Sequence, residues 1–284
     1  MAPSSRPAAP APSLVESDTT LALADGASVQ VRMYGQRRRG VTLPLVVHFH
    51  GGAFVSGSLD DGATMARLLA AADAVVVSVG YPLAPAHPFP QAVETGYAAL
   101  QWAYKNRSKL AGPGASVYVA GEEAGGNLAA AITLVARDRA HPPLAGQILV
   151  APMLDPTVGT ASLRECLGCE IYCKWAQGWQ QYLRSPMDAE HPYAVPGRTQ
   201  RLGGLPPTLV LTGKDDPMHD EALVYVKRLQ GAGIAVRSAV LPVTGWPDSL
   251  CQAPDCEGAC SESVQAHFRS FFNAATPAPP ALPS

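Results

Sequence analysis

The sequence predicts an α/β protein built on a mostly parallel, twisted sheet of about eight strands with helices on both faces. Hydrophobic residues make up 47% of the 284 residues and charged residues 15%, enough apolar material for a large buried core. Short β-rich apolar runs alternate with longer segments of helical periodicity, the pattern of a parallel sheet covered by helices. In such sheets ligands bind at the carboxyl ends of the strands.

The predicted elements follow one another in a regular order. An opening hairpin over 19–35 turns at Asp25-Gly26, a dipeptide typical of tight turns. Further strands are predicted over 43–50, 73–81, 116–121, 146–154, 207–217 and 234–242. Helices are predicted over 60–72, 88–106, 127–139, 220–233 and 261–274.

The predicted domain organisation is simple. Residues 19–274 show no internal repeat and no linker, so we expect one domain. Pro- and Ala-rich tails over 1–18 and 275–284 cannot bury a core, and we expect them to be disordered.

Charge and hydropathy exclude several classes of function. The formal net charge is −2, so we expect no basic surface for nucleic acid. No run of 18 apolar residues predicts a membrane span, and the N-terminal tail lacks the apolar stretch of a signal peptide. We therefore expect a cytoplasmic protein without a cofactor, whose partner is a small-molecule ligand. The oligomeric state is left open.

Four segments carry a resemblance to a known family. They read HGGAF from His50, YPLAPAHPFP from Tyr81, GEEAGGNLA from Gly121 and DPMHDE from Asp216. In this order and spacing they resemble HGG[GA]F, YRLAPEHPFP, GDSAGGNLA and DPLRDE of the hormone-sensitive-lipase-like esterases, which are α/β-hydrolases. The resemblance covers about residues 19–274.

The resemblance implies an α/β-hydrolase fold with a nucleophile on a tight strand-to-helix elbow and an oxyanion hole of backbone N–H groups. It maps the hole to Gly51, Gly52 and Ala124, where glycine allows close backbone approach to a ligand. It maps the triad acid to Asp216. Members of the family usually carry capping helices before the first strand, so the Pro-rich tail here implies a reduced N-terminal cap and a more open pocket.

Two catalytic positions depart from the family pattern. Glu123 stands where the resemblance implies the nucleophilic serine, so no hydroxyl is available there. The stretch between His219 and His267 contains no histidine. The position of the catalytic histidine falls on Trp246, with Pro247 as the second choice, and neither side chain can shuttle a proton.

The two acidic positions each have two interpretations. The carboxylate of Glu123 could fill the oxyanion hole and accept N–H bonds from Gly52 and Ala124, since a helix N-terminus favours an anion. Alternatively it is catalytic, as a nucleophile or as an acid–base group. Asp216 could orient a base, but with no imidazole present it is better placed to cap the next helix or to bond its own loop.

Six cysteines fall in two clusters, at 166, 169, 173 and at 251, 256, 260. Both clusters flank loops at the same end of the predicted sheet, so we expect them to lie close together beside the site. Disulfides, free buried thiols and a metal site all remain open, since a cytosol disfavours disulfides and no second C-x2-C completes a zinc site.

The sequence supports two functions. The first is a catalytically degenerate esterase relative, a pseudoenzyme, that binds a small apolar or ester-like ligand or a protein partner. The alternative is an active carboxylic-ester hydrolase, or a related enzyme with altered chemistry, that uses Glu123 and Asp216. The orientation of Glu123 discriminates between them: it points into an open pocket or folds back onto the backbone amides.

Overall fold

The computed structural model describes residues 15–23, 26, 28–165, 169–241 and 259–275. The strands in this part of the chain are β1 (Glu16–Ala22), β2 (Ser28–Tyr34), β3 (Leu45–Phe49), β4 (Val75–Val79), β5 (Val117–Glu122), β6 (Gly146–Val150), β7 (Thr208–Gly213) and β8 (Val236–Leu241). They form one sheet in the order β1-β2-β4-β3-β5-β6-β7-β8. β2 pairs antiparallel with β1 and β4, and all other neighbours are parallel. The predicted mostly parallel sheet of eight strands is confirmed.

The described helices are α1 (Ala63–Ala71), α2 (Gln91–Leu110), α3 (Ala124–Asp138), α4 (Ala161–Glu165), α5 (Cys169–Tyr182), α6 (His219–Gly231) and α7 (Ala259–Ala275). Short 3-10 turns span Pro186–Glu190 and Pro196–Arg198.

Helices cover both faces of the sheet, as predicted. Successive residues of a strand point to opposite faces. On β3, Phe49 faces Gly96 of α2, whereas His48 faces Gly62 at the start of α1. α3 runs beneath the site and is buried over 124–136, because its residues there are almost all small or aliphatic. The core therefore lies on both sides of the central strands.

Several element boundaries differ from the sequence prediction. β6 ends at Val150, before the predicted 154, because Ala151 adopts a positive φ of 43° and turns the chain. α3 begins at Ala124, three residues early, because it starts directly after the elbow. At the first hairpin Gly26 has a φ of 85°, while Asp25 lies outside the described residues. α5 was not predicted at all.

Within the described ranges, no helix combines the length and apolar character that a bilayer crossing requires. Residues 1–14 lie outside the described part of the chain, so the reduced N-terminal cap stays a prediction.

Candidate active site

The elbow between β5 and α3 places Glu123 at the carboxyl end of the central strands. Its backbone has φ 53° and ψ −117°, a strained conformation for a residue with a side chain. The surrounding hydrogen bonds hold it there: its N–H donates to Val150 O at 3.1 Å and its C=O accepts from Met153 N at 2.9 Å. A Cβ on Gly125 would lie 2.0 Å from the carbonyl oxygen of Phe49, so only glycine lets α3 approach β3 this closely.

The side chain of Glu123 folds onto the loop that follows β3. Its Oε2 accepts hydrogen bonds from the N–H groups of Gly52 and of Ala53, the latter at 3.2 Å. A Cβ on Gly51 would lie 2.8 Å from the same oxygen, so that glycine leaves room for the carboxylate. The residue is 6% exposed. The carboxylate therefore holds backbone donors of the kind that form an oxyanion hole.

The second donor differs from the one expected from the sequence. Ala124 was expected to donate alongside Gly52, and in the structure Ala53 donates instead. The physical reason is the length of the glutamate side chain. Its two methylene groups carry the carboxylate away from its own helix terminus and across to the facing loop.

The first turns of α5 close over the other carboxylate oxygen. The indole N–H of Trp175 donates to Glu123 Oε1, and Lys174 Nζ lies 3.6 Å from that oxygen. Trp175 is 7% exposed, and a hydrogen bond to a carboxylate in such surroundings is strong. The Lys174 side chain is 48% exposed, so its ion pair adds little. Both oxygens of the carboxylate are thus satisfied by the protein itself.

The loop that carries Gly52 is fixed by contacts with Tyr81 and by a hydrogen bond within the loop itself. Tyr81 donates its hydroxyl hydrogen to the carbonyl oxygen of His50 at 2.9 Å, and the two rings stack at 4.3 Å. The His50 ring bonds the carbonyl oxygen of Gly51 through Nδ1 at 2.7 Å. Burial lowers the pKa of His50, which keeps its imidazole neutral at neutral pH. These contacts keep the N–H donors aimed at the carboxylate.

A second polar chain lies under the elbow and involves Glu122. Its Oε2 lies 2.7 Å from His48 Nε2, and His48 Nδ1 lies 2.9 Å from Ser78 Oγ. His48 and Ser78 are fully buried on β3 and β4. These three groups occur in the order of a catalytic triad. Because they are buried on neighbouring strands, they instead link β3, β4 and β5 to one another.

Asp216 follows β7 and, among the described contacts, bonds only the end of that strand and the turn into α6. Oδ1 accepts from Met218 N at 2.8 Å, and Oδ2 accepts from Thr212 Oγ1 at 3.0 Å and Gly213 N at 3.5 Å. Burial raises the pKa of Asp216 to about 6, although these donors act to lower it. The carboxylate supports the turn into α6, one of the two roles expected from the sequence.

Glu221 of α6 braces the neighbouring loop. Its Oε2 accepts from the N–H groups of Leu154, at 2.7 Å, and Asp155. Burial raises the pKa of Glu221 well above its ordinary value. The loop after β6 and the loop after β7 are therefore tied to one helix.

Comparison with known proteins decides the family. Residues 46–245 match the family described as alpha/beta hydrolase fold. The carboxylesterase NlhH of Mycobacterium tuberculosis is 32% identical over 261 residues, which are 86% of this chain and 79% of that protein. This chain belongs to the hormone-sensitive-lipase-like family of α/β-hydrolases.

Two other proteins of similar sequence or structure are also named esterases. Esterase LipI of Mycobacterium tuberculosis is 37% identical over 198 residues, 68% of this chain and 62% of that protein. The matched segment therefore spans less than two thirds of LipI. The structure of a hyperthermophilic esterase from the archaeon Pyrobaculum calidifontis gives a TM-score of 0.79 at 34% identity, over 92% of this chain and 86% of that one. These names favour the esterase alternative over a non-hydrolytic role.

The α/β-hydrolase site contains residues that the sequence analysis did not single out. Trp175 and Lys174 were missed because α5 was missed. A signal was present, since Trp175, Trp179 and Leu183 recur at the spacing of one helix face. Ala53 was read only as part of the HGGAF motif.

Some expected site residues lie outside the described part of this hydrolase. Trp246 and Pro247, at the histidine position, are among them. So are Cys166, Cys251 and Cys256, and the side chains of the other three cysteines. The proximity of the two clusters therefore stays a prediction. Within the described residues, no group of three His, Cys, Asp or Glu side chains is arranged to hold a metal ion.

Proposed function

We propose that this α/β-hydrolase is a catalytically degenerate member of its esterase family, which binds a small apolar or ester-like ligand without hydrolysing it. The observation that carries the proposal is the position of the Glu123 carboxylate, which accepts the N–H groups of Gly52 and Ala53. In an ester hydrolase such donors stabilise the oxyanion of the tetrahedral intermediate. Here an anion that belongs to the protein already holds them.

The negative charge at Glu123 opposes ester chemistry in a second way. An oxyanion developing beside a buried carboxylate is repelled by it, and the repulsion is strong where water is largely excluded. Lys174 offsets little of this, because its ammonium group is half exposed and 3.6 Å away. The elbow therefore disfavours the transition state of ester hydrolysis.

The position of the catalytic histidine also lacks a group that can transfer a proton. The histidine position of the sequence falls on Trp246 or Pro247, which carry no group that titrates near neutral pH. Asp216, the remaining triad residue, directs its oxygens to Thr212, Gly213 and Met218. Without a base to orient, Asp216 cannot help to activate a water or an alcohol for attack.

A second candidate function rests on the relatives, which are named esterases. In that account the chain is an active carboxylic-ester hydrolase and Glu123 is its nucleophile, with Asp216 as the second acidic group. The carboxylate would have to leave its three N–H donors before it attacked a substrate. Release of the covalent intermediate would then require water activated by a base other than histidine.

Isotope labelling separates the two functions. The protein is incubated with p-nitrophenyl butyrate in ¹⁸O-water, and the peptide containing Glu123 is analysed by mass spectrometry. The degenerate function predicts an unlabelled carboxylate and no acyl adduct. Release of p-nitrophenol together with ¹⁸O in Glu123, or together with an acyl adduct on Glu123 when water attacks the butyryl carbonyl instead, would establish the nucleophile and overturn the proposal. A fluorophosphonate probe, which labels activated serines, serves as a check on a nucleophilic serine elsewhere in the chain.

A further inference from the structure

A groove of about 560 Å³ lies along α5 and is separate from the elbow. None of its lining residues belongs to the loop 50–54 or to the elbow. One wall is apolar and consists of Val158, Ala176, Trp179, Leu183 and Pro186. The volume falls in the range of small-molecule sites, roughly 300–1,000 Å³.

Among the described residues, the charged side chains that line the groove are two arginines, Arg184 and Arg198, and no acidic side chain lines it. Their ion pairs are long: Arg184 Nε lies 3.5 Å from Asp188, and Arg198 lies 3.4 Å from Asp155 and 3.7 Å from Glu190. A guanidinium has five N–H donors, so both arginines retain donors for a ligand.

The next cavity along the surface contains both acidic and basic side chains. It has a volume of about 720 Å³ and shares Thr157 and Arg198 with the groove. Asp155, Glu190 and Glu221 line it together with Arg198 and Arg228. The acidic partners of Arg198 therefore line this cavity and not the groove.

We infer that the groove binds an amphipathic monocarboxylate, with its aliphatic tail against the α5 wall and its carboxylate on Arg184 and Arg198. A planar guanidinium matches the two oxygens of a carboxylate. Burial of the tail against Trp179 and Leu183 removes apolar surface from water. The inference goes beyond the proposed function, because the groove shares no residue with the oxyanion loop.

Titration calorimetry with octanoate tests the inference, with 1-octanol as the uncharged probe of the same tail. We expect octanoate to bind about tenfold more tightly than 1-octanol, since the carboxylate adds charge-assisted hydrogen bonds. Replacing both arginines (Arg184→Gln with Arg198→Gln) should lower octanoate affinity by about tenfold and leave 1-octanol within about twofold. Arg38→Gln is the matched control, because Arg38 is an exposed arginine paired with Asp73 at 3.0 Å.

Three results would overturn the inference. Equal affinities for octanoate and 1-octanol would mean that the arginines do not select a carboxylate. Unchanged octanoate binding in the double variant would place the ligand elsewhere. A large change on Glu123→Gln would place it at the elbow, and we expect that variant to bind octanoate as the wild type does. Ester turnover, which would overturn the proposed function, leaves this result unaffected.

Discussion

The indole N–H of Trp175 on α5 donates a hydrogen bond to the carboxylate of Glu123 on the elbow. Both residues are less than a tenth exposed, so the bond joins two buried parts of the chain. It also fixes the carboxylate in place against the N–H groups of Gly52 and Ala53. The contact therefore links the stability of the fold to the occupation of those N–H donors by the carboxylate.

The first prediction concerns that bond. Trp175→Phe removes the donor and retains most of the aromatic packing, so we expect the free energy of unfolding to fall by about 1–3 kcal/mol. Urea denaturation followed by circular dichroism measures the change. Trp179→Phe is the matched control, because no partner for its buried indole N–H is found in the described residues. Equal losses in the two variants would show that the Trp175 bond contributes nothing of its own.

The packing of α5 on the oxyanion loop gives the second prediction. A Cβ on Gly178 would lie 2.3 Å from the carbonyl oxygen of Ala53, which is backbone and cannot move aside cheaply. We expect Gly178→Ala to lower the free energy of unfolding by about 1–3 kcal/mol through overpacking. Gly231→Ala is the comparison, since a Cβ there meets nothing within 4 Å. That variant should gain up to about 1 kcal/mol from helix propensity, and a gain at Gly178 as well would contradict the close contact.

The third prediction is a pH dependence at Asp216. Burial raises its pKa from 3.8 to about 6. Between these values the folded protein holds a proton that the unfolded chain has released, so stability falls as the pH rises through this window. The unfolding free energy of the wild type relative to Asp216→Asn should fall by about 2–3 kcal/mol from about pH 4 to about pH 7. A difference that stays constant over that window would mean that Asp216 titrates near its ordinary value.

Other shifted groups do not obscure this measurement. Burial also raises the pKa of Glu221, which acts in the same direction, and lowers the pKa of His50, which acts in the opposite one. His50 is present in both proteins, so its contribution cancels in the difference between them. The charge of Asp216 is one of the causes that raise the pKa of Glu221, so the difference also contains that coupling, which acts in the same direction.

The strand and motif patterns of the sequence predicted most of the strands and helices at the correct positions. The continuous apolar runs ending at His50 and Gly121 predicted the central strands, because strands buried on both faces need apolar residues throughout. The position of Glu123 on the elbow also followed from the spacing of its small neighbours. α5 was not predicted, because the segment over 166–173 was interpreted through its cysteine spacing, although Trp175, Trp179 and Leu183 recur on one helix face.

The details of the site depended on geometry that a sequence does not contain. The choice of Ala53 over Ala124 as donor follows from the reach of one side chain across a loop. Likewise, the pairing of Trp175 with Glu123 joins residues 52 positions apart. Such contacts depend on how separate elements pack, which local patterns do not encode.

The fourth prediction concerns restored catalysis. Glu123→Ser frees the N–H donors and supplies a hydroxyl, but the sequence has no histidine between His219 and His267 to deprotonate it. We expect this single variant to stay inactive, since loss of one triad member already removes nearly all triad catalysis. Adding Trp246→His supplies the missing imidazole and is the minimum change with which ester turnover could return. If Glu123→Ser alone hydrolysed esters above the rate in buffer, another group would have to be the base.

The most direct test of the account is steady-state hydrolysis of short-chain p-nitrophenyl esters by the unaltered protein. Because Glu123 holds the oxyanion donors and no histidine follows the last strand before position 267, we expect no multiple turnover above the rate in buffer. Turnover of many equivalents of ester, abolished by Glu123→Gln, would contradict the account and make Glu123 catalytic.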